Sequence, residues 1–200
     1  MSNFLREVSN KIEIVGIIQA GANVGQETKI FQQFTNNIIC FEPVTNVFET
    51  LKKNNPNILC FNFGLGEKNE IKKMYLSSNN YESSSFLEPK NHKTLYDVKF
   101  NREELFEIKR FDSLNITPEK YNVLVSDTQG YEIKVLEGFG KYLNNIECVI
   151  IEYINSNLYD GDSNLEAITK FLKNWDFGLF QAIDVENGWG NACFLKKNKL

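Results

Sequence analysis

The chain has a single histidine, His92, and four cysteines, none of them in a C-x-x-C pair. That arithmetic excludes the usual zinc and dithiol redox motifs. Cys40, Cys60, Cys148 and Cys193 each lie in or beside an apolar run and read as buried free thiols of a reducing compartment. Basic charge is also scarce: 22 Lys and Arg against 26 Asp and Glu leave a net charge of −4 and a pI near 5.2. A nucleic-acid backbone needs a dense Lys/Arg surface, so no nucleic acid is expected as partner. Lys72-Lys73 and Lys196-Lys197 read as solvated surface. No apolar stretch approaches the roughly 20 residues that span a bilayer, and no membrane partner is expected. The opening MSNFLREVSNK has neither the apolar core of a signal peptide nor the Arg-rich pattern of a transit peptide, so a cytoplasmic protein is the expectation. No G-K-[ST] occurs, which removes a P-loop.

What the chain does have is an alternating rhythm. Its length suits one domain over residues 1–200, and 42% hydrophobic with 24% charged residues is a soluble globular balance. EIVGIIQ (13–19) reads as a buried strand, residues 26–35 as a helix, NIICFE (37–42) as a second strand, VFETLKKN as a helix and ILCFNF (58–63) as a third strand. Such steps point to a parallel sheet with crossover helices. Residues 64–105 break the rhythm. SSNNYESSSFLEPKNHK is polar, and a variable, loop-rich surface segment flanked by short extended pieces is expected at about 67–105. The alternation resumes with VLVSD (123–127), EIKVLEGF, ECVIIEY (147–153) and LEAITKFLKNW. Two strands joined by a Gly-containing turn close the chain, an antiparallel pair at the sheet's edge.

In open parallel sheets, ligands bind beyond the carboxyl ends of the strands. Those ends read Gln19-Ala20-Gly21-Ala22-Asn23-Val24-Gly25, Glu42-Pro43, Asn62-Phe63-Gly64-Leu65-Gly66, Asp127-Thr128-Gln129-Gly130 and Glu152-Tyr153. Glu42 follows Gly21 by 21 residues, the spacing at which a carboxylate accepts hydrogen bonds from a ribose diol. A dinucleotide fingerprint would need glycines where Asn23 and Gln26 stand, and those side chains would crowd a pyrophosphate. S-adenosylmethionine has no phosphate and tolerates the wider G-x-x-x-G turn, so the pattern favours a methyl donor over a hydride carrier.

The pieces GANVG, FEPVTNVFETLKKN, NFGLGE, SSSF, FDSLN, SDTQGYEIKVLEGF, VIIEYINSNLYDGD and GWGNACFLKK run in order over residues 12–197. Together they resemble the FkbM family of S-adenosylmethionine-dependent methyltransferases. The resemblance implies an α/β, Rossmann-like class I methyltransferase fold: a seven-stranded, mostly parallel sheet with an antiparallel last strand. It also implies S-adenosylmethionine as cofactor and O-methylation of a hydroxyl on a carbohydrate or small metabolite. Carried over by position, Gln19, Gly21, Asn23 and Gly25 wrap the amino-acid part of the cofactor, and Glu42 holds the ribose. Asn62, Gly64 and Leu65 border the adenine, while Asp127 and Gln129 face the methionine moiety or the acceptor.

Two positions depart from the family pattern. Gln19 stands where an acidic residue is usual, which gives up a charge-assisted bond of about 1 kcal/mol. Gln129 stands where many members carry Glu, a D-x-Q-G form that marks a branch. For catalysis, Asp127 is the first candidate base, and Glu152 at the end of the fifth strand is expected to face the acceptor. His92 has the right chemistry, but its setting in EPKNHKTLY reads as surface. Ser83, Ser84 and Ser85 either line the site or solvate the loop. No metal is expected. The alternative is a non-catalytic cofactor- or glycan-binding domain that keeps the fold, with Gln19 and Gln129 as its signature.

Overall fold

The computed structural model describes residues 2–185 and 188–200. The chain opens with α1 (Ser2–Val8), β1 (Ile17–Ala20), α2 (Thr28–Phe31), β2 (Ile38–Phe41), α3 (Thr45–Asn54) and β3 (Leu59–Phe61). Then come β4 (Gly64–Leu65), β5 (Glu70–Leu76), α4 (His92–Tyr96) and β6 (Arg102–Lys109). The remainder is β7 (Val123–Ser126), α5 (Glu132–Phe139), β8 (Cys148–Ile154), α6 (Leu165–Lys173), β9 (Phe177–Asp184) and β10 (Trp189–Lys196).

The main sheet has the order β3-β2-β1-β7-β8-β10-β9. Its first five strands are parallel, and β10 inserts antiparallel between β8 and β9. This is the expected seven-stranded sheet with an antiparallel last strand. Every residue of β1, β2, β7 and β8 is buried, because crossover helices cover both faces and leave no polar side to read. On one face Phe41, Phe111, Phe139 and Tyr142 form an aromatic cluster, with Phe111 and Phe139 stacked at 4.3 Å. On the other, α1 packs Phe4, Leu5 and Val8 with Ile17, Phe31 and Leu51. The sequence offered no sign of α1.

Two boundaries differ from the expectation, each for a hydrogen-bonding reason. The first strand begins at Ile17 and not at Glu13, because the N–H groups of Val15 and Gly16 donate to Asn122 Oδ1 at 2.9 and 3.4 Å. The helix expected over 26–35 is one regular turn. Past Phe31 the bonds tighten to three-residue spacing, Gln33 N–H to Ile30 O and Phe34 N–H to Phe31 O. The turn expected between the last two strands includes residues 186 and 187, which lie outside the described residues.

The segment expected as surface loop is structured. β4, β6 and β5 form a second sheet in that order, β6 parallel to β4 and antiparallel to β5. Cross-strand pairing of Lys73 with Glu103 at 3.0 Å accounts for charges that look like loop composition. From β5 the chain folds back, and Ser85 bridges to Tyr75. Lys196 is likewise not solvated surface: its Nζ donates to Trp175 O at 2.7 Å over the Phe177 ring. No helix among the described residues is long and apolar enough to cross a membrane.

Candidate active site

Strand order reverses between β1 and β7, and a cavity of about 630 Å³ opens beyond their carboxyl ends. That is the size of a small-molecule site, at the topological position where open α/β sheets bind ligands.

The turn after β1 is built from left-handed residues: Gly21, Asn23 and Gly25 have φ of 74°, 47° and 84°. A Cβ on Gly21 would lie 1.9 Å from the Asp127 carbonyl, so only glycine lets the turn pass over the end of β7. Gly25 faces the other way; a Cβ there would meet Asn55 and Leu51 of the α3 region. Behind the turn, Gln19 is buried, and its Oε1 accepts from the Thr28 hydroxyl at 2.8 Å.

Glu42 ends β2 with its carboxyl in the cavity wall. Oε2 accepts from Asn23 N–H at 3.0 Å and Oε1 from Val44 N–H at 2.9 Å, so the group is fixed at both oxygens. Burial pushes its pKa up to about 7, with those two donors opposing. Asn62 lies behind this wall. Its amide donates to the carbonyls of Glu42 and Pro43 at 3.0 and 2.9 Å, holding the turn that carries Glu42.

At the end of β7, Gln129 sits in the left-handed region (φ 54°). Its Nε2 donates to Asp127 Oδ1 at 2.8 Å and to Glu152 Oε2 at 2.9 Å. Burial raises both carboxyls; Glu152 goes well above the ordinary range because the charges of Asp127 and Glu132 add to its burial, while its contact with Glu152 lowers Asp127. Glu132 turns back on its own helix, its Oε1 accepting from the N–H groups of Thr128 and Gly130 at 2.9 and 3.2 Å.

The outer wall comes from the 77–100 excursion. Ser83 and Ser84 line the cavity, and Ser85 Oγ donates to Gln129 O at 2.7 Å. The Tyr159 hydroxyl reaches Ser83 O at 2.8 Å and Gln129 Oε1 at 3.2 Å. Tyr81, Phe86, His92, Tyr96 and Trp189 supply rings. His92 corrects the surface expectation: it is 4% exposed, packed among Tyr96, Phe100 and Tyr159 at 5.2–5.5 Å between ring centroids. Its signal was long-range, since Tyr159 is far away in sequence.

Of the residues expected to hold a cofactor, the cavity brings together Gln19, Gly21, Asn23, Glu42, Gly64, Leu65, Asp127 and Gln129, with Glu152 beside them. Gly25 and Asn62 support the wall from behind. Glu27, missed in the sequence, also lines it; burial, then the charge of Asp127, raises its pKa to about 7.

Residues 19–179 match the family model described as the methyltransferase FkbM domain. The chain is 25% identical over 174 residues to 2-O-methyltransferase NoeI of Sinorhizobium fredii, covering 80% of this chain and 72% of that protein. Among solved structures it is similar to magnesium protoporphyrin IX methyltransferase from Synechocystis PCC 6803 with bound SAM, at TM-score 0.56 and 7% identity over 98% of this chain and 76% of that one. An S-adenosylmethionine-dependent methyltransferase from Clostridium acetobutylicum gives TM-score 0.55 and 10% identity over 97% and 89%.

Proposed function

The chain belongs to the FkbM methyltransferase domain family, and from that premise we propose that it transfers the methyl group of S-adenosylmethionine to a hydroxyl of a carbohydrate or small metabolite. The observation that carries the reading is Glu42, a carboxyl fixed at both oxygens in the cavity wall between the glycine turn and an apolar border.

The residues present fit the donor. Asp127, Glu42 and Glu27 make the cavity acid-lined, which suits a ligand carrying ammonium and sulfonium charges. Each Glu42 oxygen retains a lone pair beyond its backbone donor, enough to accept both ribose hydroxyls. Pro43, Val44, Gly64 and Leu65 offer an apolar slot for a base. Gln19, with its oxygen engaged by Thr28, presents its amide nitrogen to the methionine end; Gly21 lets that end approach the backbone, and Asp127 meets its ammonium.

When bound, S-adenosylmethionine supplies a methyl group on sulfur that is already a good leaving group. The chain's task is then alignment, which can contribute roughly 7–11 kcal/mol. Gln129 does this by tying Asp127 and Glu152 into one unit, so its amide has a structural use that a degenerate site would lack. The 2-O-methyltransferase relative supports oxygen as the atom methylated, and the ring-lined outer wall supports a small acceptor.

Calorimetric titration with S-adenosylmethionine and S-adenosylhomocysteine, followed by a transfer assay on methyl glycosides, tests the reading. Binding of both with transfer to a hydroxyl upholds it. Binding without transfer to any hydroxylated acceptor would return the chain to the binding-domain alternative.

A further inference from the structure

The proton of the acceptor hydroxyl needs somewhere to go, and Asp127, the base expected from the sequence, is engaged. Its Oδ1 accepts from Gln129, whose amide fixes it beside Glu152. Glu152 is held by the same amide at Oε2, and burial with the charges of Asp127 and Glu132 pushes its pKa well above the ordinary range. Glu42 is bound to two backbone donors beyond the glycine turn, and Glu132, which does not line the cavity, accepts from the N–H groups of Thr128 and Gly130.

His92 differs from these four carboxyls. It lines the outer wall, and its Nδ1 is buried with no hydrogen-bond partner among the described residues. Three rings hold the imidazole in place: Tyr96 on its own helix, Phe100 in the segment that follows, and Tyr159 from beyond β8. Tyr159 also fixes where this lies in the cavity, because its hydroxyl reaches Gln129, which in turn holds Asp127 and Glu152. The histidine thus stands one tyrosine away from the carboxyl end of the two central strands, on the acceptor side of the cavity.

We infer that His92 is the general base for the transfer, taking the acceptor's proton at Nε2. The inference rests on the proposed methyl transfer and adds to it the residue that carries out the proton step. The acceptor oxygen forms its bond to the methyl carbon while the O–H proton passes to Nε2. The methyl–sulfur bond breaks with its electron pair left on sulfur. The products are a methyl ether, a neutral thioether and an imidazolium that later gives its proton to solvent. Burial lowers the imidazole pKa, opposed by a weaker contact with its own backbone, so the ring starts neutral near pH 7. The titratable side chains whose rings pack on it are Tyr96 and Tyr159.

Because the chain has one histidine, its imidazole is readable alone. Long-range ¹H–¹⁵N spectra of the wild type, with S-adenosylhomocysteine present, report tautomer and titration directly. The expected result is a neutral ring at pH 7 with the proton on Nδ1, titrating below its ordinary range. An imidazolium at pH 7, or a proton fixed on Nε2, overturns the assignment whether or not an acceptor is known. On a methyl glycoside that the wild type methylates, His92→Gln should lose about 10²- to 10⁴-fold in kcat with donor affinity within about twofold. The variant's pH–rate profile should also lose the acid limb that the wild type shows. A His92→Gln enzyme with wild-type kcat and pH profile defeats the base alone. A wild type that binds no S-adenosylmethionine defeats the proposed function instead, and the two failures are read from separate measurements.

Discussion

The backbone N–H of Asn23 donates to Oε2 of Glu42 at 3.0 Å, joining the left-handed turn after β1 to the end of β2. The carboxyl that would grip a ribose is thereby set by the turn that would cradle the rest of the donor. Glu42→Gln keeps the size of the side chain but puts an NH₂ against one of two backbone donors. Donor affinity should fall at least tenfold in calorimetric titration, since charge-assisted bonds of about 1.5–3 kcal/mol are lost. A variant that binds as the wild type does would remove Glu42 from the ribose role.

A pH dependence follows from the same group. Burial raises Glu42 and Glu132 to about 7 from an ordinary 4.5. Between those values the folded state binds more protons than the unfolded chain, so their contribution to stability is full at low pH and is lost as pH rises through about 7. Thermal unfolding across this window should show that decline, and Glu42→Gln should flatten part of it. A cationic donor favours the ionised carboxyls, so its affinity should rise from about pH 6 to about pH 8, with protons released on binding. Titration in buffers of different ionisation enthalpy measures the release; proton uptake would contradict the model.

Gly21 and Gly161 share a left-handed φ, 74° and 77°, but a Cβ at Gly161 would meet nothing within 4 Å. Gly161→Ala should cost about 1–2 kcal/mol, the strain of the conformation alone. Gly21→Ala adds a collision with the Asp127 carbonyl and should cost about 3 kcal/mol or more, with loss of donor binding. Denaturant unfolding of the pair separates clash from conformation, and equal costs would show that the turn can move off β7.

Asn122 joins three distant segments. Its Nδ2 donates to Glu13 O and Glu147 Oε2, both at 2.7 Å, and its Oδ1 receives Val15 N–H. Asn122→Ala leaves several of these groups unpaired and should destabilise the fold by about 2–4 kcal/mol while donor affinity in the surviving folded protein stays unchanged. A shift in that affinity would mean that the far end of the sheet is coupled to the site.

The sheet and the inner half of the cavity were legible because their signals are local. Runs such as IICF and VLVS are wholly buried, and Gly21 and Glu42 sit at a spacing that backbone geometry fixes. The outer half was hidden for a physical reason. The strand REELFEIK is exposed along most of its length and is held by pairing with EIKKMYL, so its charges read as loop. His92 sits among polar residues in sequence, and only rings from residues 96, 100 and 159 bury it. Gln19 looked like a weakened site, yet its oxygen receives Thr28 and ties β1 to α2, a use no single-sequence pattern displays.

The excursion that builds the outer wall leaves and rejoins the chain at one place: Gly64 and Leu65 pair with Ile108 and Lys109, and Gly66 N–H donates to Lys109 O at 3.0 Å. A segment whose two ends already touch can change in length at little cost in loop closure. On the proposed function, a chimera that grafts residues 67–107 from a relative should keep the donor affinity of one parent and take the acceptor range of the other.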